Sequence, residues 1–473
     1  MIKQEYTKKE FYKNVHPYLF SIADILKENG FQAYLVGGAI RDMLVLRQPK
    51  DFDIATDASP EQITTLFSHS LQVGAKFGTI VVIPPDSEKD QRFINEFQVT
   101  TFRKDAKYIN GRWPEKVIFS KTLAEDASRR DFTINALAID LLKLNMVLDS
   151  DNILNSIIDF YSGIADANNK LIRAVGDPLE RMQEDGLRAI RACRFGAQLH
   201  FVIEEKTFEA IRKTHAIFQL VSIERVREEF MKIVLSPSPR YGITLLYKTG
   251  LLNLIIPEIQ EGVGIEQNKY HVDDIYNHLI NTCEIAHSSV RLAALLHDIG
   301  KPRTKEGEHF FGHELVGSQM SEVIMQRMKF TKQEIIEVSQ LISLHMFNYT
   351  PQWSDAAVRR FLNRVGDSAL LEKLFLLRIA DVSSNAKNTD GLELLAELKG
   401  RIQIIEEKED ALSIKDLALR GDDILKMGIT TGPQIGEILQ TLLNEVLEDP
   451  SLNNHLVLIN LAKKIIDRDV LSK

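Results

Sequence analysis

The stretch Leu35–Thr56, LVGGAIRDMLVLRQPKDFDIAT, decides how the chain is read. It opens on the end of a strand-like run (Phe31–Val36), breaks at Gly37-Gly38, and resumes as a short helix from Ala39. Asp51-Phe52-Asp53 then starts a second strand-like run that ends at Thr56. Glycines between strand and helix let the backbone approach a phosphate, and the helix N-terminus adds a favourable dipole. Arg41, one turn into that helix, is placed to neutralise a triphosphate. Alternation along a strand puts Asp51 and Asp53 on one face and turns Phe52 into the core. Two such carboxylates suit Mg²⁺, which takes one or two carboxylates plus substrate phosphates. With two ions, the attacking and leaving oxygens of a phosphoryl transfer are both stabilised. Standing alone, the Asp-x-Asp pair would read as a solvated strand end; Gly37, Gly38 and Arg41 upstream favour the metal.

The flanks extend the pattern. Pro17–Asn29 carries Leu19, Ile22, Ile25 and Leu26 at helical spacing, and Gly30 stops it. Ser59-Pro60-x-Gln62 is a helix start, with Ser at the N-cap, Pro next and Gln where a capping box needs it. Thr79–Ile83 and Phe93–Phe102 read as strands. After about residue 160, helical periodicity replaces β-branched runs. Asp177-Pro178-x-Glu180 starts a helix on which Leu179, Met182, Gly186, Ile190, Cys193 and Ala197 form one stripe. Asp185, Arg188, Arg191 and Arg194 fall on its polar side. From about residue 205 only helices and connections are expected. The fold class is therefore α+β, an α/β head followed by a long helical body.

Composition excludes several classes. A length of 473 residues fits two to four domains, and 44% hydrophobic with 26% charged residues is ordinary for a globular protein. A net charge of -8 argues against coating nucleic acid by bulk charge, but not against a local basic groove. No apolar run reaches membrane-helix length, and the charged N-terminus lacks a signal-peptide core. Two cysteines, Cys193 and Cys283, read as reduced core thiols of a cytoplasmic protein.

The opening stretch resembles the signature of class II nucleotidyltransferases of the DNA polymerase β superfamily: the CCA-adding tRNA nucleotidyltransferases and bacterial poly(A) polymerases. The likeness continues through RRDFTINALAID (Arg129–Asp140), VGDPLERMQEDGLRAIRACRFGAQLHF (Val175–Phe201) and SIERVREEF (Ser222–Phe230). It implies a polymerase β-like head with Mg²⁺ on Asp51 and Asp53, activating an RNA 3′-hydroxyl. Gly37, Gly38 and Arg41 would contact the nucleotide, and Arg130, Asp131 and Asn135 would bind triphosphate and ribose. It also implies that Asp185 and Arg188 act as an amino-acid template, with Arg191 and Arg194 on nucleotide or phosphate. The chemistry agrees. Cytosine and adenine each present an amino donor beside a ring acceptor, whereas guanine and uracil present a carbonyl beside an N–H. An acceptor-only aspartate beside a donor-only arginine, three residues on along one helical surface, pairs with the first two bases and rejects the others.

Leu71–Ile83 is similar to the CCA-adding branch, since Lys76 is its only basic residue, where poly(A) polymerases carry arginines. Thr100–Pro114 resembles the flexible loop of enzymes that add the terminal A, with Asn110-Gly111-Arg112 where the family often has Asp-Gly-Arg. The implied substrates are CTP, ATP and the tRNA 3′ end, for CCA addition or at least the terminal A. The alternatives are an A-adding enzyme with a CC-adding partner, a poly(A) polymerase, and a phosphohydrolase with a residual head.

Further on, KYHVDDIYNHLI (Lys269–Ile280), LLHDIGKP (Leu295–Pro302), FFGHELVG (Phe310–Gly317), His345 and RIADVSS (Arg378–Ser384) resemble the HD metal-dependent phosphohydrolases. The resemblance implies His278, His297, Asp298 and Asp381 as ligands of a divalent transition metal. His313 and His345 match the extra ligands of two-metal members, and Lys301 would take the phosphate. Without it, buried histidines read as hydrogen-bonded core residues. The expected division is residues 1–160 head, 161–265 helical neck, 266–400 HD domain and 401–473 helical tail. In the tail, Thr430-Thr431-Gly432 begins a helix that either meets phosphate or only packs.

Overall fold

A computed structural model describes residues 7–74, 78–105, 108–109, 113–114, 117–144, 152–267, 273–385, 391–408, 410–429 and 431–471. Lys76, Asn110-Gly111-Arg112, Thr430 and the first residues of the Lys269–Ile280 motif lie outside them. The chain divides into two compact units, Met1–Ile255 and Ile256–Lys473.

The first unit is organised by apolar alternation. Seven strands form one mixed sheet: β1 (Tyr34–Val36), β2 (Phe52–Thr56), β3 (Ser70–Gly74), β4 (Thr79–Val82), β5 (Phe97–Thr101), β6 (Leu137–Asp140) and β7 (Ile157–Asp159). Their order is β7-β6-β1-β2-β5-β4-β3. Within this sheet only β2 and β5 pair in parallel, a register that sets Asp53 beside Gln98. Phe52, Ile54, Phe97 and Val99 are buried, so the inward turn expected of Phe52 holds. Strand β2 begins at Phe52, which leaves Asp51 exposed just before it.

Helices follow the caps written in the sequence. Ser59 and Gln62 close a capping box ahead of Pro60–Leu66, and the Asp177 carboxylate caps Pro178–Glu184. The single helix expected from Pro178 onward is instead two, Pro178–Glu184 and Leu187–Leu199. The reason is tertiary. A Cβ on Gly186 would lie 2.6 Å from the Ile217 carbonyl oxygen, so this backbone packs directly on a neighbouring one. Asp185, at the break, is extended, with φ -143° and ψ 108°.

The second unit is helical throughout its described residues, apart from isolated bridges. Its last part has its own apolar core, including Leu419, Ile424, Leu442, Val446 and Leu458. Buried Arg359 donates to the carbonyls of Leu447 and Glu448, closing the C-terminus of helix Gly432–Glu448. Cys193 and Cys283 are buried free thiols. Among the described residues, no helix is long and apolar enough to cross a membrane.

Candidate active site and metal centre

In the first unit a cleft of about 790 Å³ is lined by eleven lysines and arginines and five aspartates. A chain of net charge -8 with 58 lysines and arginines thus keeps a local excess of cations in this cleft. All twelve nucleotide- and Mg²⁺-site residues expected of the head and neck line this cleft: Gly37, Gly38, Arg41, Asp51, Asp53, Arg130, Asp131, Asn135, Asp185, Arg188, Arg191 and Arg194.

Gly37 ends β1 with φ +78°, a conformation that side chains disfavour. A Cβ there would sit 2.9 Å from Arg130 Nη1 and 3.7 Å from Asp53 Oδ2, so the glycine keeps the arginine and the carboxylate close. The Asp53 carboxylate makes no hydrogen bond among the described residues. Burial pushes its carboxyl up, Arg130 opposes this, and Asp51 adds to it. A half-buried carboxylate with no hydrogen bond, beside a second one, suits a divalent cation on oxygen ligands.

Behind this pair runs a polar network. Buried Asp131 accepts from Asn135 Nδ2 at 3.0 Å through Oδ1, and from Arg191 Nε and Nη2 at 2.9 and 2.6 Å through Oδ2. Burial alone would raise its carboxyl, but the Arg191 charge and these hydrogen bonds hold it well below the usual range. Asn135 Oδ1 accepts from Arg41 Nη1 at 2.7 Å. Arg130 donates to the Asn135 carbonyl at 3.2 Å and to Asp126 at 3.1 Å. The guanidinium carbons of Arg41, Arg191 and Arg194 lie 4.9, 5.4 and 4.1 Å from the Phe195 ring centroid. Burial brings Arg194 down to about 10, still cationic at neutral pH, with Glu229 at 2.8 Å.

Asp185 and Arg188 do not share one helical surface, because the helix breaks between them. Arg188 is buried rather than on a polar face. Its Nη1 donates to the Arg181 carbonyl and to Glu184, and its Nη2 to the Arg129 carbonyl. A guanidinium carries five N–H bonds, so the Nε–H and one Nη2–H remain for a ligand. Asp185 accepts from the Leu187 amide at 3.0 Å and faces Arg225 at 3.5 Å. Both still line the cleft, now as a turn and a helix start. Gly186→Ala, driving a methyl into backbone, should destabilise the chain by about 1–3 kcal/mol in a urea melt.

Arg47, Lys50, Arg103, Arg129, Phe195, Arg225 and Lys232 also line the cleft and were not singled out from sequence. All of them but Lys232 lie inside stretches already quoted, which was their only signal.

The second unit gathers the other constellation. His278 lies on helix Ile275–Ile285, and His297 and Asp298 directly follow Arg291–Leu296. His313 opens helix His313–Arg327, His345 follows Lys332–Leu344, and Asp381 lies on Ser368–Ser384. Asp298 Oδ2 is 3.4 Å from His278 Nε2 and 3.2 Å from His297 Nε2. Its Oδ1 is 3.2 Å from His313 Nε2 and 3.5 Å from His345 Nε2. Asp381 Oδ1 adds contacts of 3.2 and 3.6 Å to His278 and His297. The other ring nitrogens are tied down: Nδ1 of His297, His313 and His345 to the carbonyls of Ala294, Phe310 and Ile342. With Nδ1 as donor, each Nε2 lone pair points inward, as metal-binding imidazoles require. Asp298 Oδ1, His313 Nε2 and His345 Nε2 are buried without a hydrogen bond, a donor set that fits a cation. Two groups that could hold a metal thus share Asp298. Lys301 is not held out for a ligand. It is buried, 2.6 Å from Asp298 Oδ2 and 2.7 Å from Gln267.

Family models agree with this layout. The poly A polymerase head domain matches residues 33–173, a probable RNA-binding region of polymerase A matches 200–262, and the HD domain matches 263–386. The chain is 30% identical over 449 residues to a CCA-adding enzyme of Enterococcus faecalis, covering 93% of this chain and 95% of that protein. It is 40% identical over 230 residues to one of Lactobacillus helveticus, spanning 49% and 53% of the two chains. Among solved structures it resembles the Bacillus stearothermophilus CCA-adding enzyme in complex with CTP (TM-score 0.67, 25% identity, 95% and 97% covered). The Thermotoga maritima CCA-adding enzyme complexed with tRNA shares the fold at TM-score 0.55 and 18% identity, with 98% and 100% covered.

Proposed function

The chain belongs to the CCA-adding enzyme family, and on that premise we propose that its cationic cleft completes tRNA 3′ ends with C, C and A from CTP and ATP. The reading is carried by one observation: the two carboxylates, the arginine network and the Asp185–Arg188 pair all line a single cleft. The RNA 3′-hydroxyl gives up its proton to solvent, its oxygen bonds to the α-phosphorus, the bond from that phosphorus to the oxygen bridging to the β-phosphate breaks, and pyrophosphate leaves. Asp51 and Asp53 would hold Mg²⁺, which supplies stabilisation of the attacking and leaving oxygens. Arg41, Arg130 and Arg191 neutralise the triphosphate, and Asn135 and Asp131 fix those arginines and approach the ribose. Asp185 accepts from the amino group of cytosine or adenine, while the free N–H bonds of Arg188 donate to the ring nitrogen. A guanine or uracil carbonyl facing Asp185 leaves acceptors opposed, at about 1–3 kcal/mol or more.

The division of labour follows the four expected segments, with the neck (161–265) completing the cleft. The body and tail hold the cytoplasmic tRNA by shape and backbone. The HD segment is a phosphohydrolase in this reading. His278, His297, Asp298, His313, His345 and Asp381 would hold divalent metal, with Asp298 common to both groups, and the metal would supply activation of water and charge neutralisation at a phosphate ester.

Primer extension tests the main reading. On transcripts ending at the discriminator base, one C or CC, purified protein with Mg²⁺, CTP and ATP should complete CCA and stop. Addition of A to the CC-ended transcript alone would reduce the enzyme to an A-adder. A long A tail on unrelated RNA would replace the reading with poly(A) synthesis.

A further inference from the structure

We propose that Phe195 is a positioning residue for the nucleotide triphosphate: its buried ring gathers Arg41, Arg191 and Arg194 into one cluster without consuming the N–H bonds that phosphate oxygens need. This rests on the reading of the cleft as the CTP and ATP site given above. Phe195 lies on helix Leu187–Leu199, one turn after Arg191 and next to Arg194. Arg41 comes from helix Gly38–Leu44, far away in sequence. The guanidinium carbons of Arg41, Arg191 and Arg194 nevertheless converge on this one ring, at 4.9, 5.4 and 4.1 Å from its centroid. All three fall within the roughly 6 Å over which a cation is drawn to an aromatic face. The ring is itself fixed by buried Phe132, edge-on at 5.7 Å and 83°. Phe132 directly follows Asp131 and closely precedes Asn135, the partners of Arg191 and Arg41. One aromatic pair thus sets both the arginines and the groups that hold them.

Three guanidiniums this close repel one another. Each pairs with a different carboxylate: Arg41 with Asp42 at 2.7 Å, Arg191 with Asp131 at 2.6 Å and Arg194 with Glu229 at 2.8 Å. The ring is what the three share. A carboxylate in its place would take up N–H bonds and repel a triphosphate, whereas an aromatic face attracts the cations and does neither. Of five N–H bonds apiece, Arg41 spends three on Asn135 and Asp42 and keeps two, and Arg191 spends two on Asp131 and keeps three. Those kept are available to phosphate oxygens. The ring is not a stacking platform for the incoming base, since it is only 3% exposed. Its effect should therefore be the same for CTP and ATP, with the choice of base left to Asp185 and Arg188.

The test uses the full chain with Mg²⁺ and two variants. Phe195→3,4,5-trifluorophenylalanine, introduced at an amber codon, keeps the shape of the ring and withdraws its π-electron density. Phe195→Leu removes the ring. Equilibrium binding of CTP and of ATP, measured without RNA, should weaken roughly tenfold in both variants and equally for the two nucleotides. Incorporation of C on a discriminator-ended transcript and of A on a CC-ended one should carry the loss in KM, with kcat at saturating nucleotide changed far less. A thermal melt checks that each variant folds, and the fluorinated chain decides the matter where the leucine chain does not. If the fluorinated chain binds both nucleotides as the parent does, Phe195 only packs and the proposal falls. A loss confined to one nucleotide places the ring at the base and overturns it too. If the parent chain binds neither CTP nor ATP, the reading of the cleft fails first, and this proposal with it.

Discussion

Asp53→Asn should lower nucleotide incorporation by about 10³-fold or more, some 4 kcal/mol of transition-state stabilisation, without unfolding the protein. The two halves of that expectation have one cause. Asp53 sits on a central strand between Val36 and Gln98, with no hydrogen bond to satisfy its charge and burial pushing its carboxyl up. The folded chain therefore holds that charge at a disadvantage, and a neutral isostere should leave the melting temperature unchanged or raised. Catalysis needs the charge that folding resists, because a neutral amide binds Mg²⁺ poorly beside triphosphate. Single-turnover incorporation on a CC-ended transcript reads the first half, and a thermal melt reads the second. CTP should still bind, since Arg41, Arg191 and Asn135 keep their mutual hydrogen bonds. Activity within tenfold of the parent would remove Asp53 from the reaction. A large loss of stability would make it a structural residue instead.

Much of the cleft was legible because its chemistry is local in sequence. Gly37, Gly38, Arg41, Asp51 and Asp53 lie within seventeen residues, and their strand–turn–helix–strand rhythm is visible from alternation and glycine alone. What periodicity misses is contact between distant segments. The stripe from Leu179 to Ala197 ran on through Gly186, because residues on both sides of the break face the same core. The Ile217 carbonyl that forbids a side chain at Gly186 lies thirty-one residues away. For the same reason Arg188 looked solvated and is buried, held by the carbonyls of Arg181 and Arg129. The Asp131–Arg191 bond spans 60 residues, and no spacing rule predicts it. Short strands such as β7 carry too few residues to show alternation and become visible only through their partner β6. In the second unit the histidines and aspartates of the cluster could be named from their motifs. That one carboxylate serves both halves of the cluster, and that Lys301 is spent on it, are facts of geometry.

That shared carboxylate carries the second large effect. Asp298→Asn should abolish divalent metal binding at both halves of the centre, where His313→Gln should remove one half only. The difference follows from Oδ2 facing His278 and His297 while Oδ1 faces His313 and His345. Metal analysis of dialysed, Mn²⁺-loaded protein should fall from two equivalents to about none for the first variant and to about one for the second. The Asp298 variant also strands a cation. Lys301 Nζ lies 2.6 Å from the lost charge and is buried, and breaking a buried pair at one partner typically costs about 3–5 kcal/mol. Adding Lys301→Met, close in volume and uncharged, should restore most of that stability and none of the metal. The double variant thus separates the two roles of one residue. If Asp298→Asn keeps two equivalents, the carboxylate is not the bridge. If the parent chain binds no metal, the inward-pointing imidazoles serve packing alone. Nucleotide incorporation, which uses the other unit's cleft, should be unaffected by any of these substitutions.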